Sequence, residues 1–304
     1  MIFSIIVIYN GMRNDWIKKC FDSLQTSVTP VRIVAIDNNS NDNSVAYIKE
    51  NYPDVYLIEN IENKGFGGAN NQGLKYALEN EGEYFFLLNQ DAWINPDTIS
   101  ELVRISKNNS EYGIISPIHL NGKGNALDYN FSNYINPNRC KNLYSDFVIN
   151  NVEEKIYESE FICAASWLVT KTCLQKVGGF NPTFFHYAED DNYVHRLEYK
   201  MLKIGVYPKV FIYHDREKRD NTKFFNPQIS KERGLLLEYS NPNIVIDYKK
   251  ELTILYNKLI KNVLLLNFKE VKRLKQQKKL IEKTHQLTYK NLLLTKENKS
   301  FIFL

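Results

Sequence analysis

The chain has 304 residues, 43% hydrophobic and 24% charged, with 13 glycines and 9 prolines, enough to bury a sizeable core and unlike a disordered or collagen-like protein. No run approaches the roughly 18 apolar residues of a membrane span, and the opening "MIFSIIVIYNG" lacks a basic leader and a small-residue cleavage site, so it reads as a buried strand of a cytoplasmic protein. The net charge of +4 conceals an asymmetry, because residues 247–304 carry 14 Lys and Arg against 5 Asp and Glu, a tail of +9 on a body of −5.

In chain order, "FSIIVIY", "VRIVAI", "VYLIE" and "YFFLL" are short β-branched and aromatic runs without alternation, the mark of strands buried on both faces of a parallel sheet. Between them "DWIKKCFDSLQ", "NDNSVAYIKENY" and "GGANNQGLKYALEN" have helical patterns, giving a βαβαβαβ order with right-handed crossovers. A further helix is expected after "NPDTI", with Asn95 as cap and Pro96 in its first turn. Residues 121–155, polar and rich in Asn and Tyr, predict a surface excursion without regular structure. Beyond them come a strand and short helix in "FICAASWLVTKTCLQKVGGF", the acidic "HYAEDDNYVHRLEYKML", a strand "VYPKVFIYHD", and a tail of one or two Lys-rich amphipathic helices. Cys20, Cys140, Cys163 and Cys173 have no metal-ligand spacing and predict free thiols.

Ligands of an open parallel sheet bind at the carboxyl ends of its strands, so the polar residues there are the candidates. Asn10 follows the first strand. Asp37 ends the second, where it could begin a turn or accept the N3–H of uracil or thymine or the N1–H of guanine. The third runs into "NKGFGGANNQG", whose glycines permit close backbone approach and whose helix start favours an anionic group. These glycines follow the third strand and not the first, which argues against a nicotinamide or flavin fingerprint. The fourth ends in "NQD", where Asp91 is either a cap or one carboxylate of a Mg²⁺ site completed by phosphates and water. Glu189, Asp190 and Asp191 lie between apolar and helical segments, so that burial beside like charge can raise one of them toward a general base. His214 closes the last strand as a candidate metal ligand or phosphate donor.

In order along residues 3–214, "SIIVIYN", "AIDNNSNDNS", "NKGFGGANNQGL", "LLNQDAWINPD", "VGGFNPTFFHYAEDD…R" and the late His214 resemble the family 2 glycosyltransferases, in particular the bacterial rhamnosyltransferase-like branch. The resemblance implies an α/β, A-type glycosyltransferase fold with a Rossmann-like, mostly parallel central sheet flanked by helices. It implies a catalytic domain over 1–245, divided into a nucleotide-sugar-binding half at 1–118 and an acceptor-binding half at 119–245. Residues 246–304 lie outside it, as a basic C-terminal helical extension. The implied activity is inverting, metal-dependent transfer of a sugar from a UDP- or dTDP-sugar to a hydroxyl of a glycan or lipid-linked saccharide, in bacterial surface polysaccharide assembly.

By the same resemblance Asp190 is the base, with Asp191 as the alternative, and Glu189 orients the acceptor or tunes the base. Tyr9, Asn10, Asp37, Asn39, Asn63, Lys64, Gly65, Phe66, Gly68, Asn70, Asn89, Gln90 and Asp91 line the donor site. Asp91 and His214 hold Mg²⁺ or Mn²⁺, and Trp167 stacks on the acceptor sugar. Two positions depart from the family pattern: Asn89 stands where a metal motif has its first acid, and Asn192 where another acid is common after "ED". They leave a catalytically silent nucleotide-sugar-binding or scaffold protein as the alternative. The basic tail suits an anionic membrane surface at the inner face of the cell membrane, or else a helix packed on the body or a homodimer contact with its basic face in solvent, and the acidic body argues against nucleic acid.

Overall fold

The first strand, β1 (Ile2–Ile8), is apolar everywhere but Ser4, and its successive side chains serve opposite faces: Phe3 and Ile5 enter one hydrophobic core, Ile6 and Ile8 another. In the same way β4 (Tyr84–Leu88) sends Phe85 and Leu87 to the first core and Phe86 and Leu88 to the second. These continuous apolar strands therefore form the centre of a sheet covered on both sides, as their sequences predict. The computed structural model describes residues 1–216 and 226–304, which divide into one unit of Met1–Lys218 with Lys299–Leu304 and a second of Arg219–Asn298.

In the first unit β1, β2 (Arg32–Asp37), β3 (Tyr56–Glu59) and β4 run parallel in the order β3-β2-β1-β4. They are linked through α1 (Trp16–Gln25), α2 (Ser44–Asn51) and α3 (Gly65–Glu79). The sheet continues through β8 (Ser166–Thr170), β6 (Tyr112–Asn121) and β9 (Lys203–His214) to β5 (Ala92–Ile94), and β7 (Tyr157–Glu158) also pairs with β9. Strand β8 is antiparallel to both β4 and β6, β9 is parallel to β6, and β5 is antiparallel to β9. Strands β1–β4, β6 and β9 thus end at one edge of the sheet, and β8 and β5 start from it.

Two expectations need correction. The helix after "NPD" is α4 (Thr98–Lys107) and begins two residues beyond Pro96, because the three-residue β5 and its turn occupy the preceding stretch. Residues 121–155 are not without regular structure, since α5 (Tyr129–Tyr134) and α6 (Leu143–Val148) lie within them and deliver Phe131 and Leu143 to the core. Each has six residues, too few for a helical period to register against a polar background. Helices α7 (Lys171–Val177) and α8 (Glu189–Tyr199) complete the unit. All four cysteines are free, and all but Cys163 are buried.

The second unit contains α9 (Pro227–Tyr239), α10 (Tyr248–Leu264) and α11 (Phe268–Lys296), whose shared core is Tyr239, Leu255, Leu274 and Ile281. Each starts on a side-chain cap: Asn226 accepts from Ile229 N–H, Asp247 from Lys250 N–H and Asn267 from Glu270 N–H. The boundary at 218/219 precedes the expected end of the catalytic domain at 245, and residues 299–304 belong with the first unit. Among the described residues no helix is long and apolar enough to cross a membrane.

Candidate active site

The parallel β1–β4 half gathers a polar rim. Asp37 closes β2 and is 3% exposed; its Oδ2 accepts from Ser40 N–H at 3.0 Å, while its Oδ1 is buried without a partner. An orphaned carboxylate oxygen at a strand end is the kind of group a ligand donor satisfies. Asn10 and Asn39 take left-handed backbone conformations, with φ of +49° and +65°, and Asn10 Oδ1 accepts from Asn41 N–H at 2.8 Å. The loops after β1 and β2 are thereby tied together. Gln90 spends its amide on the Tyr9 backbone, accepting from its N–H at 2.9 Å and donating to its carbonyl at 3.0 Å, which leaves the Tyr9 ring exposed at the rim.

The glycine segment works differently from its sequence reading. Gly65 has a φ of +73°, and a Cβ there would lie 1.9 Å from the Phe185 carbonyl oxygen, while one on Gly67 would meet Phe180 Cβ at 2.8 Å. The close approaches these two glycines permit are to residues 180–185 of the same chain. Gly68 has only Lys64 Cβ nearby, at 3.3 Å. Asn63 Oδ1 accepts from Gly65 N–H, Asn70 donates to Phe66 O, and Phe66 packs edge-on against Phe180, whereas Lys64 is exposed and paired with Glu62. Sequence reasoning missed Asn38, which is 3% exposed. Its Oδ1 accepts from Lys64 N–H at 2.8 Å and its Nδ2 donates to Asn63 Oδ1 and Gly65 O, fixing the whole loop to β2.

On the other side of β4, pairing of Ala92 with His214 across β5 and β9 brings Asp91 beside the last residue of β9. His214 Nε2 lies 3.4 Å from Asp91 Oδ1, and its Nδ1 lies 3.6 Å from Asp128 Oδ2 without a hydrogen bond. Asp128 also caps α5 through Phe131 N–H and accepts from Arg216 Nε at 2.6 Å. The row therefore reads carboxylate, imidazole, carboxylate, guanidinium, with its first three members at most 6% exposed. Burial works against the Arg216 charge, but Cys163 and Asp128 outweigh it and raise its pKa. Asp128 and Arg216 were also missed; a capping pattern before "YNF" was the one signal for Asp128. Asn89 is half-buried at the end of β4, and its N–H donates to Ala165 O. Behind the row His119 stacks on Phe131 and meets His214 edge-on, and burial first, with the neighbouring His214 ring second, pushes its pKa down. Among the described residues no group of three or more His, Cys, Asp or Glu is placed to hold a metal ion.

The third element of the rim is the start of α8. Tyr187 and Ala188 have φ of +66° and +71°, a double left-handed bend that turns the chain into a helix whose first turn is Glu189, Asp190 and Asp191. Asp190 Oδ2 faces Ala164 N–H at 3.5 Å, at the head of β8, and its Oδ1 accepts from Asp191 N–H at 3.0 Å. Burial first and the Asp191 charge second push its pKa up to about 7. Asp191 is half-buried beside it, and Glu189, 5% exposed, approaches the glycine helix, with its Cβ 3.7 Å from the position a Gly67 Cβ would take. Asn192 is fully buried and accepts from Arg196 Nε at 3.0 Å, so it serves the scaffold at that position.

The expected role of Trp167 does not hold. It is 0% exposed, donates through Nε1 to Ile162 O, and stacks on Phe180 with Tyr193 alongside. A ring so enclosed supports the site from below and cannot stack on a sugar.

A family model described as "Glycosyl transferase family 2" matches residues 4–172. A curated relative, the low-salt glycan biosynthesis hexosyltransferase Agl10 of Haloferax volcanii, is 24% identical over 220 residues, 72% of this chain and 69% of the relative. Among solved structures, TarS 1–349 of S. aureus matches with a TM-score of 0.56 and 17% identity over 80% of this chain and 64% of that one, and it matches similarly in complex with UDP and with UDP-GlcNAc. The chain thus covers just under two thirds of that structure's length. GalNAc-T7 bound to UDP, GalNAc and Mn²⁺ matches with a TM-score of 0.55 and 14% identity over 71% of this chain and 44% of that one. At these identities the structural matches establish the fold, that of the A-type glycosyltransferases.

Proposed function

Because the chain belongs to glycosyltransferase family 2, we propose that it transfers a sugar from a UDP- or dTDP-sugar to a hydroxyl of a saccharide acceptor, with inversion at the anomeric carbon. The observation that supports this most is the convergence on one sheet edge of the orphaned Asp37 carboxylate, the Asp91–His214 pair and the raised Asp190 carboxyl. Asp37 Oδ1 accepts the N3–H of the pyrimidine and gains the partner it otherwise lacks. Solved relatives of the same fold carry UDP, UDP-GlcNAc and, in one case, Mn²⁺.

Asp91 and His214 suit a divalent cation: an oxygen and a nitrogen donor 3.4 Å apart can share one ion, with diphosphate oxygens and water as its remaining ligands. Bound Mg²⁺ or Mn²⁺ would supply Lewis-acid charge for the departing diphosphate. The remaining work falls to the chain. Asp128, braced by Arg216, presents a carboxylate 3.6 Å from His214 Nδ1, the ring nitrogen other than the one beside Asp91. Asp190 takes the proton of the acceptor hydroxyl as that oxygen bonds to the anomeric carbon and the bond to the diphosphate breaks on the opposite face, a single displacement that inverts the centre. Glu189 positions the acceptor. An acceptor on a glycan or lipid carrier in surface polysaccharide assembly fits this reading.

Asp190→Asn should abolish transfer while keeping UDP affinity within a few-fold of wild type, and undiminished turnover would remove Asp190 as the base. For the cation, calorimetric titration of UDP or dTDP with and without Mn²⁺ should show tighter binding with the metal, and Asp91→Ala should erase the difference. Equal affinity under both conditions in the wild type would count against Asp91 and His214 as ligands. A thermal-shift screen of nucleotide sugars identifies the donor.

A further inference from the structure

The turn joining α10 to α11 is apolar where a water-facing turn would be polar. Val263, Leu264, Leu265, Leu266 and Phe268 are 51%, 78%, 65%, 71% and 70% exposed. The turn is tight, closed by Asn267 N–H to Asn262 O at 2.9 Å, and Leu266 sits in it at a φ of +53°, a conformation that glycine or asparagine adopts at lower cost. Leucine at this place loses on solvation and on backbone strain together. Around the turn, residues 257–276 carry six Lys and Arg against one acid, Glu270, and that acid is paired with Arg273. A shallow groove beside the tip, lined by Phe268, Val271, Lys272, Lys275, Gln276 and Lys279, sets apolar floor next to basic rim.

We propose that this turn is a membrane-docking tip, which inserts its leucines and Phe268 into the outer layer of an anionic lipid leaflet while the surrounding lysines engage the lipid phosphates. A rim of one sign selects the partner. A second copy would bring two lysine-rich tips face to face at a like-charge cost, whereas an anionic bilayer offers hydrocarbon and negative charge in the same place. A narrow convex tip suits insertion into a fluid surface, and apolar and basic contributions acting together are what reversible anchoring without a spanning helix requires. This inference does not depend on the transfer reaction, since its test reads binding alone.

The test is flotation of the full chain with vesicles of phosphatidylcholine alone or mixed with phosphatidylglycerol. The protein should float with the mixed vesicles, remain below with phosphatidylcholine alone, and be released as salt screens the lysines. The double substitution Leu265→Ser and Leu266→Asn should lower the bound fraction about tenfold or more, and because Asn suits the left-handed position, an unchanged circular dichroism spectrum separates this loss from unfolding. Lys269→Glu with Lys272→Glu should weaken binding to the mixed vesicles alone. Absence of flotation with the mixed vesicles, equal flotation with both, or an unaffected double variant would each overturn the proposal. So would light scattering that finds a dimer of the free chain dispersed by the double variant, since a second copy would then cover the tip.

Discussion

Two carboxylates at the sheet edge differ in what burial has done to them. Asp37 keeps one oxygen on the Ser40 N–H and leaves the other buried and unpaired, so a ligand N–H that reached it would satisfy an acceptor the fold leaves unmet. A hydrogen bond to a charged acceptor contributes about 1.5–3 kcal/mol, and Asp37→Ala should therefore weaken UDP binding by roughly 10–100-fold in calorimetry. A loss under twofold would take Asp37 out of the base pocket. Asp190 is instead held toward its neutral form by burial and by Asp191. As a base it must be ionised, so the transfer rate should rise with pH through about 7. The same shift has a stability consequence of opposite direction. With a folded pKa above the unfolded value of about 3.9, Asp190 contributes stability that is fully present below the unfolded value and is lost as pH rises through about 7. Asp190→Asn should accordingly raise the Tm at pH 8 by several degrees and leave it nearly unchanged at pH 4. A variant less stable than wild type at pH 8 would contradict that environment.

At the scale of elements, the rim is held in register by side chains that bond to backbone groups of neighbouring segments. Asn71 on α3 accepts from Phe180 N–H at 2.7 Å and donates to Phe180 O at 2.8 Å. Arg196 on α8 donates to Val177 O and Gly179 O and lies against the Tyr193 and Phe303 rings. Helix α3 and the helix carrying Asp190 are thus both fastened to the segment after α7. Gly178, at a φ of +82°, is the tightest point there, because a Cβ would come within 2.1 Å of Ile302 O. Gly178→Ala should cost about 2 kcal/mol or more, read as a lowered urea midpoint, and an unchanged midpoint would show that the turn can relax.

These fastenings also explain what the sequence could and could not disclose. Strands β1, β2 and β4 were legible because a doubly covered strand must be apolar nearly throughout; "VYLIE" was legible as a strand but not as a buried one, since β3 lies at the sheet edge with Tyr56 and Glu59 exposed, and Asp37, Asp91 and His214 stood out because each lies within three residues of the end of an apolar run. The strands β5 and β7, of three and two residues, and the six-residue α5 and α6 are too short to carry a period. Asp128, Arg216 and Asn38 act through contacts across 88, 88 and 27 residues respectively, which no local pattern records. The glycines at 65 and 67 were legible as close-approach positions, but the partner approached, residues 180–185, lies more than a hundred residues away.

On the scale of the whole molecule, the chain leaves its first unit near residue 218 and returns to it at 299. The returning residues lie along the α7 corner: Phe301 N–H donates to Gln175 O, Gly179 N–H donates to Ile302 O, and Asn71 donates to Phe303 O. Phe303 also covers the buried Arg196 guanidinium, a charge whose carbonyl partners would meet water without it. The last residues therefore stabilise the fastening of α8, and with it Asp190, although the sequence pattern assigns them to a helical extension. Deleting Phe301–Leu304 should speed amide exchange, read by mass spectrometry, in peptides covering 171–199 while leaving those covering 248–296 as they are in the full chain. Exchange faster in 248–296, or unchanged in 171–199, would mean that the final residues serve the helical unit after all.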